Sequence, residues 1–151
     1  MALTEKKTEK KVAASEPAVP RLLVVDADRA SRALAVDVAD SCGFDAQAAH
    51  DPAQFQSIYQ DFAPDIVMLD LSMAEIGGVE LLRILADDIA GKQQRGIRDS
   101  GPRILLFSTS DQRLLELAFD LGRAFGLMIA GVITKPIRTA DLQVRLRGLL
   151  R

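Results

Sequence analysis

The chain has 151 residues, of which 48% are hydrophobic and 26% are charged, and this composition predicts one globular domain with its own core. Its formal net charge of −2 gives no reason to expect direct nucleic-acid binding or attachment to an anionic membrane. The single cysteine, Cys42, excludes an intramolecular disulfide and a cysteine-based zinc site, and it fits a protein of the reducing cytoplasm.

The N-terminal segment differs from the rest of the chain. Residues 1–20 mix Lys, Glu, Thr, Ala and Pro and contain no apolar segment of the kind found in a secretory signal. No part of the sequence approaches the roughly 20 apolar residues of a membrane helix. We therefore expect a flexible leader over residues 1–20 and one folded domain over residues 21–151.

The first part of the folded region predicts two strands and two helices. The apolar run Leu22–Val25 predicts a strand, and the helix after it ends near Gly43. Phe44–Ala49 predicts a short second strand. Asp51 and Pro52 supply an N-cap and a first-turn proline for the second helix. Its apolar residues recur at helical spacing: Phe55, Ile58, Tyr59 and Phe62.

The same alternation continues through the middle of the chain. Ile66–Leu69 predicts a third strand, and Gly77-Gly78 marks a loop before the third helix. The apolar residues of that helix are Val79, Leu82, Leu85 and Ile89. The polar segment Gly91–Gly101 is long for a helix-to-strand connection and predicts a flexible loop. Ile104–Phe107 predicts the fourth strand.

The last part of the chain completes five strand–helix units. Asp111 is expected to cap a fourth helix that ends at Gly126, and Val132–Thr134 predicts the fifth strand. Thr139 is expected to cap the last helix, which carries Leu142, Leu146 and Leu149 on one face. Helices between successive strands predict an α/β fold, a doubly wound parallel sheet with helices on both faces.

Four of the predicted strands end in side chains suited to phosphoryl chemistry. The first is followed by Asp26 and Asp28, the third by Asp70, the fourth by Ser108 and the fifth by Lys135. These strand ends meet at one edge of a parallel sheet, where ligands bind. A carboxylate can act as a nucleophile towards phosphorus, while Mg²⁺ held by further carboxylates offsets the repulsion. A lysine and a hydroxyl can bind the phosphoryl oxygens.

The segments that carry these residues resemble the receiver domains of two-component response regulators. They are Val24-Val25-Asp26, Ile66–Asp70, Leu106-Phe107-Ser108 and Thr134-Lys135-Pro136. The resemblance extends over about residues 21 to 150. It implies a flavodoxin-like sheet of five strands in the order 2-1-3-4-5.

The resemblance also implies a role for each site residue. Asp70 would be the phosphoacceptor, Asp26 the first acid of the pocket, Ser108 the switch hydroxyl and Lys135 the conserved lysine. Mg²⁺ would be the cofactor, bound by Asp26, Asp28, Asp70 and the main-chain carbonyl of Ser72. The Lys135-Pro136 peptide bond is expected to be cis.

Several positions depart from the family pattern, among them Ala74 in place of a loop proline and Gly77 in place of an acid. The second acid of the usual adjacent pair is Ala27, and an acid follows one residue later at Asp28. Asp28 would replace the missing acid if the chain bends at the end of the strand. Val132 stands where the family has an aromatic switch residue on the fifth strand.

Three functions are compatible with these residues. The first is a signalling receiver, not an enzyme, in which Asp70 accepts a phosphoryl group from a sensor histidine kinase or phosphotransfer protein. It would then switch a partner-binding face formed by the fourth helix, fifth strand and fifth helix. A homodimer would form through the last helices. The second is a phosphorylation-independent adaptor or dimerisation module.

The third function is that of a haloacid-dehalogenase-like phosphatase, because Leu22–Asp28 also resembles the opening motif of that family. Asp26 would then be the nucleophile and Asp28 the acid/base. The sequence ends after the fifth predicted helix, so we expect no DNA-binding or catalytic output domain within it.

Overall fold

The computed structural model describes residues 18–72, 77–99, 101–108 and 112–150. Most of the predicted leader (residues 1–17), together with Thr109 and the predicted cap Asp111, lies outside these residues. The strands are β1 (Arg21–Val25), β2 (Asp45–Ala49), β3 (Ile66–Asp70), β4 (Arg103–Ser108) and β5 (Met128–Thr134). The helices are α1 (Arg29–Ser41), α2 (Pro52–Phe62), α3 (Gly77–Gln94), α4 (Gln112–Phe125) and α5 (Thr139–Leu149).

The five strands form one parallel sheet in the order β2-β1-β3-β4-β5, which confirms the predicted fold. Strands β1 and β3 lie inside the sheet and are covered on both faces, so their sequences are continuous apolar runs rather than alternating ones. Within the described residues, no helix is long and apolar enough to cross a membrane.

The two faces of the sheet have separate cores. Leu23 and Val67 pack with apolar residues of α2, α3 and α4 on one face. Leu22 and Met68 point to the other face and pack with residues of α1 and α5. All four side chains have no measurable exposure, and each such burial stabilises the fold by roughly 1.5–3 kcal/mol. The sheet is therefore held rigidly between two helical layers, and this positions the residues at its edge.

Several boundaries differ from the predictions. Strand β5 begins at Met128, four residues before the predicted Val132, because this segment already pairs with β4. Helix α3 begins at Gly77 and continues to Gln94, so Gly77-Gly78 and the first residues of the predicted loop Gly91–Gly101 are helical. Lys92 pairs with Asp88 one turn earlier, which favours continuation of the helix through Gly91.

The predicted cap of the last helix is wrong. Thr139 is already the first residue of α5, and the N-cap is Arg138, which makes no side-chain capping hydrogen bond. The backbone explains the difference: Arg138 is extended, and its carbonyl accepts the first helical hydrogen bond from the Leu142 N–H. The cap of α2 is as predicted, since Asp51 accepts from the Gln54 N–H at 2.7 Å and Pro52 follows it.

Candidate functional site

The neighbouring strands β1 and β3 place two aspartates side by side at the carboxyl edge of the sheet. Val25 pairs with Leu69 in the parallel register, so the residues that follow them, Asp26 and Asp70, lie next to each other. Both are buried, with exposed fractions of 0% and 4%. They are the buried charged residues of the described part of the chain, which singles out this edge as the candidate site.

Lys135 joins these two carboxylates. Its Nζ lies 2.7 Å from Oδ2 of Asp26 and 3.2 Å from Oδ2 of Asp70. The lysine follows β5, which is separated from β3 by β4. Its side chain therefore crosses the end of β4 to reach the two aspartates. The Lys135-Pro136 peptide bond is cis, as predicted. The structure thus brings together three of the five side chains expected at the site.

The second oxygen of each aspartate accepts a hydrogen bond from the loop that follows its strand. Oδ1 of Asp26 accepts from the Asp28 N–H at 2.8 Å. Oδ1 of Asp70 accepts from the N–H and the hydroxyl of Ser72, at 2.9 and 2.6 Å. In each carboxylate, therefore, one oxygen contacts the loop after its own strand and the other contacts Lys135.

The surroundings shift the pKa values of the two acids in opposite directions. Burial raises the pKa of Asp26 above its usual value and outweighs the hydrogen bonds from Lys135 and Asp28. Burial alone would also raise the pKa of Asp70, but the hydrogen bonds from Ser72 and the charge of Lys135 outweigh it and lower that pKa. Of the two acids, Asp70 is therefore the one whose ionised form its surroundings favour, as a carboxylate nucleophile requires.

The pKa of Lys135 is raised. Burial would lower it, but the hydrogen bond and charge of Asp26, followed by those of Asp70, have the larger combined effect. The ammonium group therefore stays protonated at neutral pH. It supplies the permanent positive charge of the pocket.

Asp28 does not face the lysine. It is the N-cap of α1, and its Oδ2 accepts from the N–H and the hydroxyl of Ser31, at 3.0 and 2.7 Å. These two hydrogen bonds lower the pKa of Asp28. The structure therefore uses Asp28 to begin a helix, and its role as a metal ligand stays a prediction.

Arg32 is a contributor to the site that the sequence patterns did not indicate. Its Nη1 donates to the carbonyl oxygens of Asp26 and Ala27, at 2.8 and 3.0 Å. These contacts fix the turn between β1 and α1 and so hold Asp26 in place. The available signal was its position four residues after Asp28, one turn into the helix, where a long side chain can reach back to the preceding loop.

Gly78 also supports the site, through its lack of a side chain. A Cβ at this position would lie 2.5 Å from the carbonyl oxygen of Asp70 and 2.5 Å from Cα of Leu71. The first turn of α3 therefore packs directly against the backbone of the Asp70 loop. The Gly77-Gly78 pair was the sequence signal for this close approach.

Ser108 is the last residue of β4, where it pairs with Thr134. Its backbone is therefore at the predicted edge, while its side chain lies outside the described part of the structure. Its role as the switch hydroxyl stays a prediction.

The residues of the pocket can be compared with the ligands that Mg²⁺, the cofactor implied by the resemblance, requires. Asp26, Asp70 and the Ser72 carbonyl offer the hard oxygen atoms that Mg²⁺ prefers. However, three of the four carboxylate oxygens already accept hydrogen bonds. The fourth, Oδ2 of Asp26, accepts none with regular geometry and lies 2.7 Å from the ammonium group of Lys135, while Asp28 is turned towards Ser31. Among the described residues, no group of three or more Asp, Glu, His or Cys side chains is arranged to hold a metal ion. The arrangement does not fit a tightly held cation.

Comparisons with known proteins agree with this geometry. A family model described as the response regulator receiver domain matches residues 22–147. The DNA-binding response regulator MtrA of Mycobacterium tuberculosis is 28% identical over 132 residues, which are 87% of this chain and 50% of that protein. The regulator RpaA of Synechocystis is 27% identical over 134 residues, 88% of this chain and 50% of that protein. The chain thus spans about half the length of the curated relatives it matches.

Solved structures show the same fold. The response regulator signal receiver domain from Bermanella marisrubri superposes with a TM-score of 0.68 at 26% identity, covering 87% of this chain and 98% of that one. A response regulator from Colwellia psychrerythraea superposes with a TM-score of 0.67 at 27% identity, covering 87% and 97%. The chain belongs to the family of response regulator receiver domains.

Proposed function

We propose that Asp70 accepts a phosphoryl group from a sensor histidine kinase or a phosphotransfer protein of the cytoplasm. Response regulator receiver domains are signalling proteins rather than classical enzymes. The observation that carries the proposal is the contact between Lys135 Nζ and the buried, ionised Asp70, at 3.2 Å. A carboxylate that is desolvated, deprotonated and next to a fixed cation is suited to attack phosphorus.

The chemical step forms one bond and breaks one. A carboxylate oxygen of Asp70 bonds to phosphorus while the bond from phosphorus to the donor's imidazole nitrogen breaks, and that nitrogen keeps the electron pair. Lys135 neutralises part of the charge that arrives with the phosphoryl group. Because Asp26 holds the same ammonium at 2.7 Å, the lysine must shift from Asp26 towards the new phosphoryl oxygens.

This shift is the proposed origin of the signal. Lys135 lies at the end of β5 and leads into α5, so a movement of its side chain acts on the face formed by α4, β5 and α5. Ser108, at the end of β4, would bind a phosphoryl oxygen from the neighbouring strand. The downstream partner would recognise the altered face, and a homodimer through the last helices is one form that this output can take.

Phosphorylation with acetyl phosphate tests the proposal. Intact-mass spectrometry of the wild type, with Mg²⁺ in the buffer, should show one added phosphoryl group that hydroxylamine removes. Asp70→Asn should abolish the modification. Asp99→Asn, which changes an aspartate at the opposite edge of the sheet, is the matched control and should be modified like the wild type. Equal modification of Asp70→Asn and wild type would rule out Asp70 as the acceptor.

A second candidate function is a receiver that acts without phosphorylation. It is favoured by the placement of Asp28, which caps α1 instead of joining the acidic pocket. The same placement weighs against the phosphatase interpretation, in which Asp28 would serve as the acid/base. In this second case, Asp70→Asn would leave binding to the cellular partner unchanged, and acetyl phosphate would not modify the wild type.

A further inference from the structure

We infer that this receiver pocket holds divalent cations only weakly, because Asp28, the third acid near it, is committed to capping helix α1. Receiver domains generally bind Mg²⁺ in their acidic pocket. The inference concerns how this chain departs from that general behaviour. It does not require that Asp70 is phosphorylated.

The first argument is the engagement of the available oxygens. Mg²⁺ requires nearly octahedral coordination by oxygen and gives up its bound water reluctantly. A cation entering between Asp26 and Asp70 must compete with the Lys135 ammonium for Oδ2 of both acids and with the loop N–H groups for Oδ1. It must also enter beside an ammonium group of the same sign. Both effects lower the affinity.

The second argument is the charge of the pocket. Two carboxylates and one ammonium face each other at distances of 2.7 and 3.2 Å, which leaves a net charge of about −1. Ala27, at the position of the family's second acid, adds no charge and no ligand. A third carboxylate pointing inwards would double the net negative charge and supply the missing oxygen.

The third argument is that Asp28 is held where it is. Its Oδ2 accepts two hydrogen bonds from Ser31, and its main-chain N–H donates to Asp26. Arg32 donates to the carbonyl oxygens of Asp26 and Ala27, the two residues before Asp28. Turning the Asp28 side chain inwards would remove the N-cap and so destabilise the first turn of α1.

The experiment separates the two roles of Asp28 with variants that differ in only one of them. Asp28→Asn removes the charge but keeps an N-cap of equal quality, whereas Asp28→Ala removes both. Ala27→Asp restores an acid at the family position. Mg²⁺ is titrated into each full-length protein without a phosphodonor, and the amide NMR signals of Asp70, Ser72 and Lys135 are followed. Thermal unfolding is measured in parallel.

We expect Asp28→Asn and Asp28→Ala to bind Mg²⁺ as weakly as the wild type, within about twofold, while only Asp28→Ala unfolds at a lower temperature. Ala27→Asp should bind Mg²⁺ at least about tenfold more tightly. A tenfold loss of affinity in Asp28→Asn would overturn the inference, because Asp28 would then be a ligand. So would a wild type that binds as tightly as a folded Ala27→Asp. Since no phosphodonor is present, these outcomes are independent of whether Asp70 can be phosphorylated.

Discussion

Two lysines in this domain each bridge two aspartates, at opposite edges of the same sheet. At the carboxyl edge, Lys135 joins Asp26 and Asp70. At the other edge, Lys92 lies 3.2 Å from both Asp88 and Asp99. The second cluster borders a pocket of about 350 Å³ that is also lined by Asp65, Arg103 and Met128, near the starts of β3, β4 and β5.

The clusters differ in how far apart their members are in the chain. Asp88 is four residues from Lys92 on α3, and Asp99 is seven residues after it. Lys135 and Asp70 are 65 residues apart. The Lys92 cluster therefore connects helix α3 to the segment that directly follows it. The Lys135 cluster forms only when the strands of the sheet have come together.

They also differ in exposure to water. The side chains of Asp26 and Asp70 are 0% and 5% exposed, whereas those of Asp88 and Asp99 are 17% and 41% exposed. Water weakens the ion pairs of the more exposed Lys92 cluster. In the buried cluster the charges depend on each other, because neither carboxylate can be solvated instead. The same arrangement of one lysine and two aspartates thus forms a partly exposed cluster at one edge of the sheet and a buried cluster at the other.

Removing each lysine is the strongest test of this comparison. Lys135→Met leaves two buried carboxylates without a counter-charge, and we expect the free energy of unfolding at pH 7 to fall by roughly 3–5 kcal/mol. Lys92→Met, the matched control, should cost about 1 kcal/mol or less. Urea unfolding followed by circular dichroism measures both. Similar losses in the two variants would contradict the distinction.

The large loss should also depend on pH. Burial already raises the pKa of Asp26, and removing Lys135 takes away a partner that favours its ionised form. Asp26 in the Lys135→Met variant therefore takes up its proton at a higher pH in the folded state than in the unfolded state. Its contribution to stability is present at low pH and is lost as the pH rises through the folded pKa. The difference in the free energy of unfolding between the wild type and Lys135→Met should therefore be smaller at about pH 5 than at pH 7.

A pair of glycines in α3 provides the next test, since one lies at each edge. Gly78→Ala places a methyl group 2.5 Å from the carbonyl oxygen of Asp70, so the backbone must move, at a cost of about 1–3 kcal/mol. Gly91→Ala meets open space and should stabilise the helix by roughly 0.5–1 kcal/mol. Thermal unfolding distinguishes the signs. A stabilising Gly78→Ala would mean that α3 does not press on the Asp70 loop.

The features that the sequence patterns predicted well are those governed by burial. A parallel strand covered on both faces must be a continuous apolar run, so the ends of β1 and β3, and with them Asp26 and Asp70, were visible in the sequence. The convergence with Lys135 followed from the order of the strands. No such constraint determined the role of Asp28, because an aspartate before a helix is equally suited to be an N-cap or a metal ligand.

The opposite edge was predicted less well for a related reason. Gly91–Gly101 is polar and contains three glycines, so the segment indicated a loop from its first residue. The structure instead continues α3 to Gln94, because Lys92 pairs with Asp88 and Asp99 and its ammonium lies 5.9 Å from the centre of the Tyr59 ring. The contact with Tyr59 joins two helices, and tertiary contacts of this kind leave no periodic signal in the sequence.

The smallest expected effect concerns Asp99, at the exposed end of the Lys92 cluster. The Gly101 N–H and then the charge of Lys92 lower the pKa of Asp99 below its usual value of 3.8. The folded protein therefore binds this proton less tightly than the unfolded chain. The resulting stabilisation is present above about pH 4 and is lost as the pH falls through the folded pKa. Asp99→Asn keeps an acceptor for Gly101 but loses the charge, so it should cost less than about 1 kcal/mol at pH 7.

This difference between wild type and Asp99→Asn should shrink as the pH is lowered from 7 to about 3, because Asp99 of the wild type then becomes neutral as well. Urea unfolding over this pH range measures it, and repeating the comparison in the Lys92→Met background isolates the ion pair. In that background the difference at pH 7 should become smaller but persist, because the Gly101 N–H still favours the ionised form of Asp99. A difference that stays constant with pH would mean that ionisation of Asp99 does not contribute to stability. A difference that is unchanged by the loss of Lys92 would mean that the ion pair does not contribute.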